Sequence, residues 1–434
     1  MNETPLRYAY VRSPRELADL IDRLEGAETI AFDTEFVSEH SYRPELCLIQ
    51  VAADGVLAAI DTLAIDDVTP FWRFLVEHDH QTVVHAGREE FRFVRSATDR
   101  HPEDWFDVQI AAGLVGFDYP AALGNLLGTY VGVQVAKGEA RTDWRRRPLA
   151  PAQIEYALQD VLHLAELRNV LEDRLERLGR LDWLYSEIDD WQVEQLALES
   201  KERWIRAAGI GSLSPRMLAV YREVWLWRES EAERRDQPLR RVLRDDLLVE
   251  LAKRRTSDPK SIRMIRGLDR GDLQSQLPAL ARAVERGLSL PESELPQLDK
   301  TPAPPQMTLL VQFLSSALGS VCRHAQVASS LVGTASDLRD FLADRMGLRR
   351  DEQEPPALAQ GWRAEVIGSR IDEIISGKLA VRVARPKADD PLGFIPVTEA
   401  MLDEETRVGG KKTSEKSRSG QRRRGADRPR DADS

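Results

Sequence analysis

Cysteine is nearly absent from this sequence. Only Cys47 and Cys322 occur in 434 residues, far apart and without a C-x-x-C partner. That argues against a disulfide framework or a cysteine zinc site and suits a reducing cytosol. Cys47, inside the apolar run LCLIQV, reads as a small core residue. Long apolar runs are also missing, so no membrane span is expected. The opening MNETPLRYAYVRSPREL has no basic-then-apolar signal pattern, and a cytoplasmic location is expected. Positive charge is in deficit, with a net charge of −11. Taken globally, this counts against a nucleic-acid partner. The basic residues are grouped, however: Arg141 with Arg145, Arg146 and Arg147, then Lys253, Arg254 and Arg255 on to Arg270, then the C-terminal tail. Each group reads equally as a phosphate-binding face or as a solvated one.

What is present is enough apolar residue, 42%, for sizeable cores, and a length that suggests two to four domains. Ile30-Ala31-Phe32-Asp33-Thr34-Glu35-Phe36 reads as an apolar strand over 29–33 that ends in two carboxylates. Side chains alternate along a strand, so Asp33 and Glu35 point the same way. Folding alone gives no reason to set two like charges side by side, whereas a divalent cation would. Carboxylate oxygens are the usual ligands of magnesium and manganese. A strand running out into a solvated turn is the plainer alternative.

Helical spacing predicts helices over 14–25, with Ser13 as N-cap, and over 67–77. Strands are expected at 46–53, 56–60 and 82–85. Further helices are expected near Arg88, after Asp107, from Pro120 to Leu127, and over 151–176 as one long element. Strands first, then strands alternating with helices, predict an α/β domain with a mixed sheet over 1–195. Residues 196–212 read as a helical connector, and 213–289 as an all-α bundle. A Pro-rich extended linker follows over 290–305, then an accessory domain of uncertain type over 306–398. The basic tail, 399–434, cannot bury enough surface to fold. On the long helix, Tyr156 and Asp160 are four apart and share a face. In VVHAGREEFRFV, Glu89 and Glu90 fall in the first turn of a helix, where acids complement the dipole. Asp107 has a similar structural reading, as an N-cap.

The order FDTEF, HAG followed by acids, FDVQIAA, RTDWRRRPL, then Y-A-L-Q-D resembles the ribonuclease D family. These are 3′→5′ exoribonucleases of the DEDD group, in the branch where tyrosine precedes the last aspartate by four. The stretch WLWRESEAERRDQP with VLRDDLL resembles the HRDC domain that follows the exonuclease there. The resemblance implies a ribonuclease H-like fold and hydrolysis with two divalent ions, magnesium or manganese, releasing 5′-mononucleotides. It implies that Asp33, Glu35 and Asp160 hold the first ion, that Asp33 bridges to a second, and that Tyr156 orients the attacking water. Five residues after His85, where the family has its third aspartate, this chain has Glu90. The expectation is that Glu90 still ligates but holds the second ion less tightly, favouring manganese.

Phe36 is expected to wedge against the terminal base. Arg141 and Trp144, before the catalytic helix, are candidates to meet the RNA backbone or stack on a base, with packing the alternative for Trp144. His85 reads as a structural hydrogen-bonder near the substrate, and Gln50 as part of the strand core. The HRDC-like bundle should add salt-sensitive affinity through Lys253, Arg254, Arg255, Lys260 and Arg263. The expected substrates are precursors of tRNA and other structured RNAs with 3′ extensions, with no obligate protein partner. Two alternatives stay open: the same chemistry on DNA, and a non-catalytic RNA-binding protein, for which only Glu90 argues.

Overall fold

The computed structural model describes residues 6–134, 142–199, 203–269, 271–298, 304–349, 354–398 and 401. The expectations for Arg141 and for the basic tail fall outside them. The chain divides into two compact units, 1–302 and 303–434.

The first unit is organised on a six-stranded sheet. Its strands are β1 (Ala9–Val11), β2 (Thr29–Val37), β3 (Glu45–Ala53), β4 (Val56–Ile60), β5 (Gln81–Val84) and β6 (Asp104–Asp107), in the order β1-β4-β3-β2-β5-β6. The β3 strand runs antiparallel to β2 and β4, and the other neighbours are parallel. The mixture follows from connection length. Short turns close β2-β3-β4 as a meander, while β5 and β6 are reached through helices, as parallel pairing requires.

Two details differ from the sequence reading. The β2 strand does not stop at Asp33; pairing with β3 carries it to Val37, with a register shift between Glu35 and Phe36. Edge strands β1 and β6 are three and four residues long, too short for an alternating pattern to stand out.

Helices cover both faces. On one side lie α1 (Pro14–Leu24), capped by Ser13, then α2 (Thr69–Glu77) and α3 (Arg88–Thr98). Aromatics are only 6% of the chain, yet they gather behind β2 on this face. Phe32 meets Phe71, Trp72 and Trp105 edge-on, with centroids 5.9–6.4 Å apart. Each buried ring contributes about 1.5–3 kcal/mol by leaving water, and edge contacts add about 0.5–1.5 kcal/mol. The β2 strand therefore rests on a cluster of edge-packed rings.

Chain order continues through α4 (Val108–Leu114) and α5 (Leu123–Leu126). The helix expected from Pro120 begins at Leu123 because Ala122 is still extended, at φ −70° and ψ 141°. The opposite face carries α6 (Pro151–Leu162) and α7 (Leu164–Leu178). The spacing predicts one helix here, but His163, at φ −113° and ψ 8°, breaks it. No glycine or proline marks the break. The two halves pack on different partners: α6 lays Ile154, Ala157 and Leu158 on β3 and β4, and α7 packs its leucine stripe toward α4. Helix α8 (Leu181–Glu199) follows, and its Trp191 joins Trp105 and Phe91 in the aromatic core.

The helical bundle holds α9 (Pro215–Arg235), α10 (Leu239–Val242), α11 (Asp245–Arg254), α12 (Pro259–Arg263), α13 (Gly271–Gln274) and α14 (Leu277–Ser289). Gly287 permits α14 to cross α9 closely, since a Cβ there would lie 2.5 Å from the backbone of Val220. The loop after β2 ties this bundle to the sheet domain. Tyr42 donates its backbone N–H to Asp236 (3.0 Å) and its hydroxyl to Glu229 (2.9 Å), and Arg43 pairs with Glu233 (3.2 Å).

The second unit contains α15 (Met307–Ala325), α16 (Ser329–Val332), α17 (Ala335–Arg345), α18 (Gly361–Ile367), α19 (Arg370–Ile375) and an antiparallel hairpin of β7 (Leu379–Val383) and β8 (Leu392–Pro396). No helix among the described residues is long and apolar enough to cross a membrane.

Candidate active site

Alternation along β2 sends Phe32 and Thr34 to the aromatic face and Asp33 and Glu35 to the face covered by α6. There they meet Asp160. Asp33, Glu35 and Asp160 each offer an oxygen, and the three oxygens lie within 4.8 Å of one another. All three residues are half-buried. Burial and the neighbouring acids Glu90, Asp160 and Glu35 raise Asp33 well above the ordinary carboxylate range. Burial, with Asp160 and Glu90, pushes Glu35 up to about 8. Burial brings Asp160 to about 6. Burial is the leading cause of every shift, and at Asp33 and Glu35 the neighbouring carboxylates add to it.

That donor set fits a divalent cation of the magnesium or manganese type: carboxylate oxygens only, convergent and partly withdrawn from water. Tyr156, one turn before Asp160, is raised by burial and by Asp160, Glu35 and Asp33. Its hydroxyl therefore stays protonated at neutral pH.

Glu90 arrives from the other side of β2. It sits in the first turn of α3, only 5% exposed, and accepts a 2.5 Å hydrogen bond from the Thr34 hydroxyl. Burial raises its carboxyl against the opposing effect of that bond. It is not one of the three clustered residues. Glu89 is engaged by Arg92 at 2.9 Å.

The start of α3 is held by Asp107. One carboxylate oxygen accepts from the backbone N–H of Ala86 (3.1 Å) and Gln109 (2.8 Å), and the other from Gly87 (3.0 Å). Asp107 is thus an N-cap for α4, as its position suggests, and also a staple on the H-A-G turn. Ala86 sits at φ +56°, and a Cβ on Gly87 would meet Val84 at 2.5 Å and Trp105 at 2.7 Å. A purely local reading of Asp107 misses this staple, because Ala86 and Gly87 lie about twenty residues away in the H-A-G turn. His85 places Nε2 2.9 Å from the Ala121 carbonyl, which Gln109 also donates to at 2.8 Å. Its partners are the Ala121 carbonyl and, at 3.4 Å, the Gln109 side chain.

Phe36, next in sequence to Glu35, is half-buried and edge-on to Phe93 of α3 at 5.8 Å. Trp144 departs from the base-stacking expectation. It is 5% exposed, packed among Cys47, Leu48, Ala59 and Ile154, and leaves no face for a base. The adjacent Arg147 explains why: it donates to both oxygens of Asp61 and to the carbonyls of Trp144 (2.6 Å) and Cys47 (2.8 Å). The arginine-rich loop is sewn to the sheet, and Trp144 with it. Gln50 lies directly across from Asp33 in the β2–β3 register and is fully buried. In the bundle, Lys253, Arg254 and Arg255 are exposed, and Arg254 pairs with Glu250 at 2.7 Å. Lys260, Arg263 and Arg266, with the exposed Met264 and the buried Ile265, line an open concavity of about 740 Å³.

Comparison with known proteins agrees with this geometry. Residues 8–176 match the 3′-5′ exonuclease family model, and residues 217–284 match the HRDC domain. The ribonuclease D of Zymomonas mobilis is 34% identical over 385 residues, covering 86% of this chain and 95% of that protein. That of Gluconacetobacter diazotrophicus is 32% identical over 376 residues, covering 86% and 94%. The crystal structure of Escherichia coli RNase D, described as an exoribonuclease involved in structured RNA processing, superposes with a TM-score of 0.74 at 26% identity, over 86% of this chain and 99% of that one. With the acidic centre on the α/β sheet and the HRDC bundle following it in the chain, the chain belongs to the ribonuclease D family of 3′→5′ exoribonucleases.

Proposed function

We propose that this exoribonuclease trims 3′ extensions from structured RNAs, tRNA precursors among them, and releases 5′-mononucleotides. The observation that carries the reading is the convergence of Asp33, Glu35 and Asp160 within 4.8 Å, beside a protonated Tyr156. Asp33, Glu35 and Asp160 would hold one divalent ion, with Asp33 and Glu90 toward a second. Such a pair of ions clamps the attacking and leaving oxygens of an in-line displacement.

The protein's own part is positional. Tyr156 donates a hydrogen bond that orients the nucleophilic water; with an ordinary pKa near 10, raised further here, it does not act as a base. Phe36, half-buried at the end of β2, offers an aromatic face to the terminal base. The exposed Lys253, Arg255, Lys260 and Arg263 on the bundle give sequence-independent contacts to phosphates, which weaken with salt. RNA bound there and threaded to the acidic centre is held by its body and cut at its end.

The test is incubation of 5′-labelled, 3′-extended tRNA and a matched single-stranded DNA with magnesium, manganese or EDTA, beside Asp33→Ala. Metal-dependent loss of single nucleotides from the 3′ end of the RNA, absent with EDTA and in the variant, is expected. Faster trimming of the DNA would move the assignment to a deoxyribonuclease. Salt-sensitive binding without trimming would make the chain a binding protein.

A further inference from the structure

Thr34 lies between two carboxylates of the acidic centre but faces away from it. Its side chain is 5% exposed and points to the aromatic face, where a hydroxyl is costly unless bonded. Its partner is Glu90 Oε1 at 2.5 Å, a short bond of the charge-assisted kind. Glu90 is equally buried, and of the charges acting on Asp33 its is the largest. Its carboxylate therefore lies near Asp33 while being held from behind β2. Oε1 is engaged by Thr34, which leaves Oε2 as the oxygen that bond does not take up.

We infer that Thr34 is a positioning residue for Glu90, its hydroxyl fixing the longer glutamate side chain so that one oxygen is presented toward Asp33. This rests on the proposed two-ion reading and adds a residue to it. The physical reason is reach. A glutamate has one more rotatable bond than an aspartate at the same helix position, so it needs an external donor to define its orientation. Metal-binding carboxylates are commonly oriented by such outer hydrogen bonds, and losing one typically costs about 10–100-fold in metal affinity. The α3 side of the arrangement is already rigid, because Asp107 clamps the turn that begins the helix. What remains is the Glu90 side chain, which the Thr34 hydroxyl holds at Oε1.

The experiment is manganese titration of the full chain, followed by calorimetry and by the electron paramagnetic resonance of free Mn²⁺. The proteins are wild type, Thr34→Val, Thr34→Ser, Glu90→Asp and the Thr34→Val/Glu90→Asp double variant. Valine keeps the shape and removes the donor, and serine keeps the donor. Wild type should bind two ions. Thr34→Val should weaken the second event about 10–100-fold and leave the first unchanged, and Thr34→Ser should restore the second to within about threefold. In the Glu90→Asp background the shorter side chain does not reach Thr34, so adding Thr34→Val should change affinity by less than about twofold. Equal second-site affinity in wild type and Thr34→Val would overturn the inference while leaving the two-ion reading intact. Equal loss in Thr34→Val and Thr34→Ser would also overturn it, as would the same loss from Thr34→Val with and without Glu90→Asp. Failure of the wild type to bind a second ion would instead remove the reading on which it rests.

Discussion

Asp61 and Asp33 are both aspartates drawn out of water near the α6 face of the same sheet, and their surroundings are opposite. Asp61 is 1% exposed and fully answered: Arg147 reaches it at 2.7 Å, and Tyr10 donates to it at 2.6 Å. Burial pushes its carboxyl up, but the hydrogen bonds from Arg147 and Tyr10 and the guanidinium charge outweigh that and leave it below the ordinary range. Asp33 has acids for neighbours and is held well above the ordinary range. A fold that only needed stability would treat both alike. The difference separates a carboxylate that ties a loop to the sheet from one kept open for a cation.

Substitutions at the two sites should fail in different ways. Asp33→Asn removes a ligand from the acidic centre. Since bound ions contribute several kcal/mol to charge stabilisation in such reactions, the rate on RNA should fall by at least about 10³-fold. Single-turnover kinetics on a folded variant measures this. At the other site, Arg147→Met strands the Asp61 carboxylate. Breaking a buried pair costs about 3–5 kcal/mol, so urea unfolding should shift strongly. A variant with wild-type stability would show that the Arg147 network contributes nothing.

Tyr156→Phe removes one donor and keeps the ring, so kcat should drop about 10²-fold with Mn²⁺ affinity unchanged. An equal loss in metal affinity would mean that the tyrosine acts through the ligands. The smallest expected effect is that of Glu90→Asp. It should tighten the second Mn²⁺ event by up to about tenfold and narrow the preference for manganese over magnesium. Unchanged affinity and rate would remove the idea that the longer side chain weakens that site.

Much of the centre was readable from local spacing. Asp33 and Glu35 are two apart on a strand, and Tyr156 and Asp160 are four apart on a helix; either spacing fixes a shared face whatever the tertiary structure does. Glu90 could be located by its offset from His85, but its bond to Thr34 could not, because it joins residues 56 apart. The same limit hid the Arg147–Asp61 network, 86 residues apart, and so hid why Trp144 is enclosed. The break at His163 left no local signal, since the apolar stripe runs through it and only the partners of the two halves differ. The Asp107 staple was half legible: its capping role is local, its hold on Ala86 and Gly87 is not.

The contrast between Asp33 and Asp61 also fixes a sign. Asp33, Glu35, Glu90 and Asp160 all have folded values raised above those of the unfolded chain. As pH rises past the ordinary carboxylate range of about 4, the unfolded chain releases protons first. The metal-free fold then loses stability as pH rises through about 6, where Asp160 titrates, and about 8, where Glu35 does. Asp61, with its folded value lowered, contributes stability that is present above its unfolded value and lost as pH falls through the folded one. Thermal melting of wild type and Asp33→Asn, in EDTA and in Mn²⁺, at about pH 5 and about pH 8, is the most direct single measurement. If the acidic centre is held open for a cation, Asp33→Asn in EDTA at the higher pH melts above wild type, the gap narrows at the lower pH, and Mn²⁺ raises wild type far more than the variant. A variant that melts below wild type in EDTA, with Mn²⁺ shifting both equally, would contradict it.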